Sequence, residues 1–219
     1  MNSSKLGILA IIIACFIWGF APIYYKLLAT VPPLELLSHR TIWSFIFFFG
    51  ILGFYGRIKE LWLEIFILKG QLPKILFASV LIAINWFFFI YAIQKNQTTE
   101  ASLGYFIMPL VTVIWGLIIF KEKLSVFQWM SVFLATIAVC VLTYGLGVPP
   151  WIALILSFSF SIYAVLKKKL ETSPIVSVTG EVLILVPIGL LLLMYFHMDG
   201  QGSFGRDWET TFLLALSGP

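Results

Sequence analysis

The chain has 219 residues, 61% of them hydrophobic and 11% charged, with a mean hydropathy of +1.03. Soluble domains carry roughly 25% charged residues, so this composition excludes a water-soluble globular fold and makes lipid the solvent for most of the surface. The formal net charge of +4 is no nucleic-acid signature, because no arginine-rich tract accompanies it and membrane proteins gather Lys and Arg in cytoplasmic loops.

Apolar windows long enough to cross about 30 Å of hydrocarbon predict seven helices: Leu6 to Leu28, Leu36 to Phe54, Pro73 to Ile93, Ala101 to Phe120, Phe127 to Tyr144, Trp151 to Leu166 and Ile175 to Phe196. An eighth begins at Thr210 and stops within its first turns at Ser217, Gly218 and Pro219, so the chain reads as a fragment that ends mid-element. Long Leu, Ile and Phe runs without alternation favour helices over a barrel, since each span must satisfy its own backbone groups. The predicted class is therefore an all-α integral membrane protein, a polytopic helix bundle.

The first span is no cleaved signal, because apolar residues continue past Cys15 to Tyr24 without a polar start. Cys15 and Cys140 each lie in an apolar run and read as small hydrophobes. The sequons at Asn2 and Asn96 lie at or beside membrane ends and read as chance.

Alternate loops differ in basic content. Lys5, Arg57, Lys59, Lys69, Lys74, Lys121, Lys123, Lys167, Lys168 and Lys169 lie on the N-terminal side, ten against Lys26, Arg40, Lys95 and Arg206 on the other, four. Because short cytoplasmic loops are enriched in Lys and Arg, the N-terminus is expected in the cytoplasm.

Leu9 to Leu28 aligns with Trp151 to Leu170, matching Ile13 with Ile155, Phe16 with Phe158, Lys26 with Lys168 and Leu28 with Leu170. Each stretch is followed by a Pro-containing connection, at Pro32 and Pro33 or at Pro174. A five-helix unit would recur inverted, since an odd number of crossings reverses the second copy. The expected organisation is an inverted five-plus-five repeat, with residues 1–146 the first repeat and 147–219 part of the second. Chance similarity between apolar segments is the alternative.

Ionisable groups in a bilayer cost about 2.5 to 3.5 kcal/mol each on insertion scales, so the few within spans are the first candidates. Arg40 lies about a turn inside the second span, Glu100 starts the fourth, and Glu181 lies a turn or two inside the seventh. One reading places Arg40 and Glu100 at an outer vestibule or gate, attracting or pairing with charge, with Glu181 in a related role inside. The other has Arg40 and Lys26 snorkel while Glu35 and Glu100 merely begin helices with a favourable dipole. Trp18, Tyr24, Tyr25, Trp43, Trp86, Tyr91 and Tyr105 spread over the first four spans, and Trp18 and Trp86 sit nearer mid-span than interfacial anchors do. Trp86 follows Asn85, an amide that should seek a partner helix or a cavity. Pro22 and Pro109 are expected to interrupt their helices, freeing carbonyls or acting as hinges.

No Walker A, Gly-x-Ser-x-Gly, His-Glu-x-x-His or Cys-x-x-Cys motif is present, so no cofactor, metal or enzymatic activity is implied. Several strings instead resemble a known family. Phe16-Ile17-Trp18-Gly19-Phe20-Ala21-Pro22, Ser38-His39-Arg40-Thr41-Ile42-Trp43-Ser44-Phe45, Asn85-Trp86, the run from Glu100 to Leu110, and Lys121-Glu122-Lys123 with Gln128-Trp129 are similar to EamA-type members of the drug/metabolite transporter superfamily. The nearest likeness is to the RarD branch, associated with chloramphenicol sensitivity.

The resemblance implies a ten-helix bundle of two inverted halves around a central cavity, with both termini cytoplasmic. It further implies transport of small metabolites, commonly outward, across the bacterial inner membrane. Arg40, Trp43, Asn85, Trp86, Glu100 and Tyr105 are the motif positions it carries over. Trp18, Tyr24 and Glu181 join them as candidates for the substrate pathway. The chain departs from the pattern at Met108, where an asparagine before the proline is expected. The implied partners are a small-molecule substrate and the lipid bilayer, with no nucleic acid and with self-association left open. A non-transporting membrane scaffold and an intramembrane enzyme acting on lipid remain as alternatives. The scattered His39 and His197 speak against the enzyme.

Overall fold

The computed structural model describes residues 3–67, 71–147 and 150–218, and is helical throughout its regular elements. The elements are α1 (Ser3–Leu27), α2 (Pro33–Phe54), α3 (Ile58–Trp62) running into a π-helical turn (Leu63–Ile67), α4 (Gln71–Gln94), α5 (Thr98–Ile119), α6 (Val126–Leu146), α7 (Trp151–Lys169), α8 (Pro174–Met198) and α9 (Trp208–Leu216). Seven of these, all but α3 and α9, are long and apolar enough to cross a membrane. Lys69, Asn2 and Pro219, used above for the charge count, a sequon and the last element, lie outside the described residues.

Local chemistry sets the helix ends. Pro33 and Pro174 open α2 and α8, where the missing N–H would be unsatisfied in any case. Ser125 and Gln128 form a reciprocal capping box at α6, and Gly147 closes that helix at φ 67°. Asp207 accepts from the Thr210 amide at the start of α9, and this bond holds its carboxyl below the usual carboxylate range. Lys167, Lys168 and Lys169 occupy the last turn of α7, favourable against the helix dipole.

Two expectations change. Pro22 and Pro109 do not break their helices; α1 and α5 continue through them, as α8 does through Pro187. Neighbouring helices and side chains can absorb a proline in a membrane span. The short α3 and its π turn were not expected from the sequence, and α9 begins at Trp208 rather than Thr210. In α3, Arg57 bonds both carboxylate oxygens of Glu60 and reaches Ser173 before α8. These bonds hold the Glu60 carboxyl below its ordinary range.

The middle of the bundle is α4, packed on α2, α7 and α8, while α2 lies along α8 and α5 along α7. α1 and α6 sit at the periphery with apolar faces exposed. One buried cluster gathers Tyr25, Leu28, Leu36, Phe89, Ile90, Ile93, Ala101, Ile152 and Leu214 at the end that the charge count assigns to the outside. A second gathers Leu52, Leu61, Ile65, Ile75 and Val176 at the opposite end. The first is tied across the α1–α2 turn by Gln94, whose amide donates to the Leu28 and Val31 carbonyls, the former also accepting from the Val31 amide.

Close approach of α5 and α7 depends on Gly104, where a Cβ would meet the Ala153 oxygen and the Leu156 Cβ, each at 3.0 Å. Small residues play this part between membrane helices. Ser161 fastens the same pair by donating to the Met108 carbonyl. Replacing Gly104 with Leu is expected to destabilise the bundle by about 1–3 kcal/mol through overpacking, lowering the thermal midpoint in detergent by several degrees. Gly50→Leu, at a position with nothing within 4 Å, should leave the midpoint unchanged.

Candidate functional site

Arg40 lies seven residues inside α2, Tyr105 seven inside α5 and Trp86 eight from the end of α4. At 1.5 Å per residue, all three therefore sit about 10–12 Å below the same end of the bundle. There the Arg40 guanidinium carbon stands 4.2 Å from the centre of the Trp86 ring and 5.7 Å from that of Tyr25. The Tyr105 and Tyr24 hydroxyls are its electrostatic neighbours. No ion pair or hydrogen bond to Arg40 is present among the described residues, and its Nε is buried without a partner.

An intramembrane arginine costs about 2.5–3.5 kcal/mol to insert, and a desolvated cation–π contact returns about 2 kcal/mol. Trp86 lies well within cation–π reach, whereas Tyr25 is at its margin. The rings thus offset most of the charge's burial but satisfy none of its N–H donors. Further unpartnered polar atoms lie at this end: the Trp43 indole nitrogen, one turn along α2 from Arg40, and the Tyr105 hydroxyl. Tyr24 differs, since its hydroxyl donates to the Leu213 carbonyl of α9.

Beside this group lies a cavity of about 520 Å³ lined by Trp18, Pro22, Phe89, Ser102, Tyr105 and Met108 among others. Its size falls within the usual range for small-molecule sites. Phe89 is its hub, edge-to-face with Trp18, Tyr25 and Tyr105 at centroid distances of 6.4, 5.9 and 5.8 Å. Phe89 connects the cavity wall to Arg40 through Tyr25. Proline removes the N–H that would bond the carbonyl four residues earlier, so Pro22 frees the carbonyl of Trp18 and Pro109 that of Tyr105. Both residues line the cavity, although neither helix is broken.

The remaining candidates divide. Asn85 is buried and faces away from Trp86, donating to the Leu156 carbonyl and the Ser159 hydroxyl of α7. It fastens α4 to α7. Glu100 is buried in the first turn of α5 with Oε2 unpartnered, and it makes no ion pair with Arg40. Glu181 lies toward the other end of the bundle and is 2% exposed. Its carboxylate accepts from Lys167 at 2.8 Å, Tyr163 at 2.9 Å and Ser177 at 2.8 Å. That network joins α7 to α8 and does not meet the Arg40 group.

Sequence reasoning missed Phe89, whose signal was its place three residues after Trp86 on one helix face. It also gave Glu35 only a dipole role. Glu35 is fully buried and accepts from the Ser203 amide at 2.6 Å, the Ser203 hydroxyl at 3.0 Å and the Phe204 amide at 3.4 Å. His39 lies 4.0 Å from it and stacks on Phe204 at 4.8 Å. The α8–α9 connection is thereby pinned over the start of α2.

The sequence profile of the EamA-like transporter family matches residues 5–144. The chain belongs to that family. It is 37% identical to the uncharacterized transporter YojE of Bacillus subtilis over 217 residues, 97% of this chain and 73% of YojE. It is 38% identical to protein RarD of Escherichia coli and to protein RarD of Salmonella typhi, each over 220 residues covering 99% of this chain and 73% of the relative. No solved structure matches. Family and relatives make the chain a multi-pass membrane transporter of the drug/metabolite superfamily, of the EamA type and RarD branch.

Within this EamA-type chain the Glu181 network is expected to act in stability. Glu181→Gln should destabilise by at most about 3 kcal/mol, the bottom of the range for buried pairs, because Lys167 remains 22% exposed. The double variant Glu181→Leu, Lys167→Met should recover most of that loss. Thermal unfolding in detergent measures both.

Proposed function

We propose that the chain carries a small molecule across the membrane by alternating access, taking it up in the cavity bounded by Trp18, Phe89, Tyr105 and Met108. The observation that carries this reading is the charged, unpaired Arg40 held at membrane depth beside that cavity. Such a group is expensive to insert and is by default a mark of function. The wall combines aromatic and aliphatic side chains with Thr98 and Ser102, in keeping with a site that binds a ligand.

The two-sided cycle is supported by the proposed inverted repeat, with residues 1–146 as the first five-helix half and 147–219 as part of the second. Two related halves rocking about a site between them would expose it first to one side and then to the other. The basic loops at the α2–α4, α5–α6 and α7–α8 connections support a cytoplasmic N-terminus. With that orientation the cavity would lie in the outer half of the bilayer.

In liposomes containing the purified chain, a mixed panel of small metabolites read by mass spectrometry is expected to show selective, saturable uptake. Trp18→Ala and Tyr105→Leu should each reduce it by about tenfold, the equivalent of 1.4 kcal/mol, with little change in thermal midpoint. No saturable uptake from correctly inserted protein, or uptake indifferent to both substitutions, would contradict the reading.

A further inference from the structure

Resting on the transport reading above, we infer that the substrate class is a small organic anion with an aromatic or apolar body. Its anionic group would be bound by the Arg40 guanidinium with the Trp43 indole N–H and the Tyr105 hydroxyl.

Three of the unsatisfied groups at this end, on Arg40, Trp43 and Tyr105, can donate, whereas the Glu100 Oε2 accepts and the His39 Nε2 can do either. The guanidinium has no acceptor at all among the described residues, and its Nε is buried. The Trp43 indole nitrogen, which can only donate, is buried three residues further along the same helix and has no partner among the described residues. Residues so spaced project from neighbouring points on one face. The Tyr105 hydroxyl is buried without a partner among the described residues, lines the cavity and belongs to a residue at the same depth as Arg40, each seven residues inside its helix. Tyr24, the other hydroxyl beside Arg40, is committed to Leu213 and drops out of the set.

Carboxylates that could neutralise Arg40 internally are accounted for. Glu35 is taken by the Ser203 and Phe204 amides and the Ser203 hydroxyl. Glu181 is taken by Lys167, Tyr163 and Ser177. Glu100 is buried at the same end of the bundle, yet it makes neither an ion pair nor a hydrogen bond with Arg40.

Trp86 fixes how the anion can approach. The guanidinium carbon lies 4.2 Å from the centre of the Trp86 ring, and an arginine that stacks on an aromatic face keeps its in-plane N–H edge for a planar acceptor such as a carboxylate, which it can bind through two oxygens at once. The rest of the molecule would enter the aromatic space made by Trp18, Phe89 and Tyr105. A lysine at position 40 would keep the charge but lose both the stacking plane and the fork.

The test uses the full chain in nanodiscs with three matched probes: phenylacetate, neutral phenylacetamide and cationic phenethylamine. Binding is followed by intrinsic tryptophan fluorescence and calorimetry, and flux of the same probes is measured in liposomes. Phenylacetate is expected to bind at least about tenfold tighter than phenylacetamide, with phenethylamine weakest. Arg40→Gln should abolish that preference, and Arg40→Lys should keep only part of it. Trp43→Phe and Tyr105→Phe, which remove one donor each and little volume, should weaken phenylacetate while leaving phenylacetamide unchanged, so the test does not hang on the Arg40 variants folding. Equal binding of the acid and the amide, binding of none of the probes, or a preference for the amine would overturn the inference. Selective binding of phenylacetate without flux of any probe would support the anion site and overturn the transport reading. Saturable flux of the amide or amine in preference to the acid would do the reverse.

Discussion

At the end of the bundle where α2 and α5 begin and α4 ends, a positive charge is held against a tryptophan with no negative partner among the described residues. Arg40 is 4.2 Å from the Trp86 ring centre, and that contact sets which residues must surround it. Tyr25 has to stand beneath the guanidinium, Phe89 beneath Tyr25, and Trp18 and Tyr105 against Phe89. A cation in a low-dielectric setting is stabilised by such faces without being neutralised by them. The cavity is bordered by Trp18, Phe89 and Tyr105, which pack edge-to-face around Phe89, while Tyr25 and Trp86 face the charge.

The rest of the fold can be understood as the frame for that arrangement. Asn85 fixes the rotation of α4 by bonding α7, which turns Trp86 toward α2. Gly104 lets α5 approach α7 closely, and Tyr105 is the next residue along α5. Glu35 clamps the α8–α9 connection over the start of α2, five residues before Arg40. At the other end the Glu181 network joins α7 to α8 through a paired, satisfied charge. The contrast between the two ends is informative: one intramembrane charge is saturated with partners and holds helices together, while the other is left open beside a cavity.

Much of the architecture was legible because lipid leaves so few choices. A span must be long, apolar and self-bonded, so all seven long helices are readable from hydropathy. Short elements were not: α3 and its π turn are five residues each, too brief for any periodicity to show. Arg40 was legible since charge inside a span is rare, and Trp86 since tryptophans are few. Phe89 was hidden among 21 phenylalanines. The partners of Glu35 and Glu181 were hidden for another reason. Ser203 stands 168 residues from Glu35, and nothing local distinguishes a carboxylate that will meet backbone amides from one that will meet a cation. Pro22 and Pro109 were recognised as freeing carbonyls, but the sequence pattern overstated their effect on helix continuity.

The most direct test of a cavity that serves both sides of the membrane uses a cysteine in its wall. Ser102 lines the cavity, and the two native cysteines, Cys15 and Cys140, are exposed on the lipid-facing helices. In a chain carrying Cys15→Ser, Cys140→Ser and Ser102→Cys, a membrane-impermeant maleimide would be applied from one side or the other of sealed vesicles of known orientation. Alternating access predicts labelling from either side, with a bound substrate protecting the cysteine in both cases. Labelling from one side alone under every condition would show a dead-end pocket rather than a transport site.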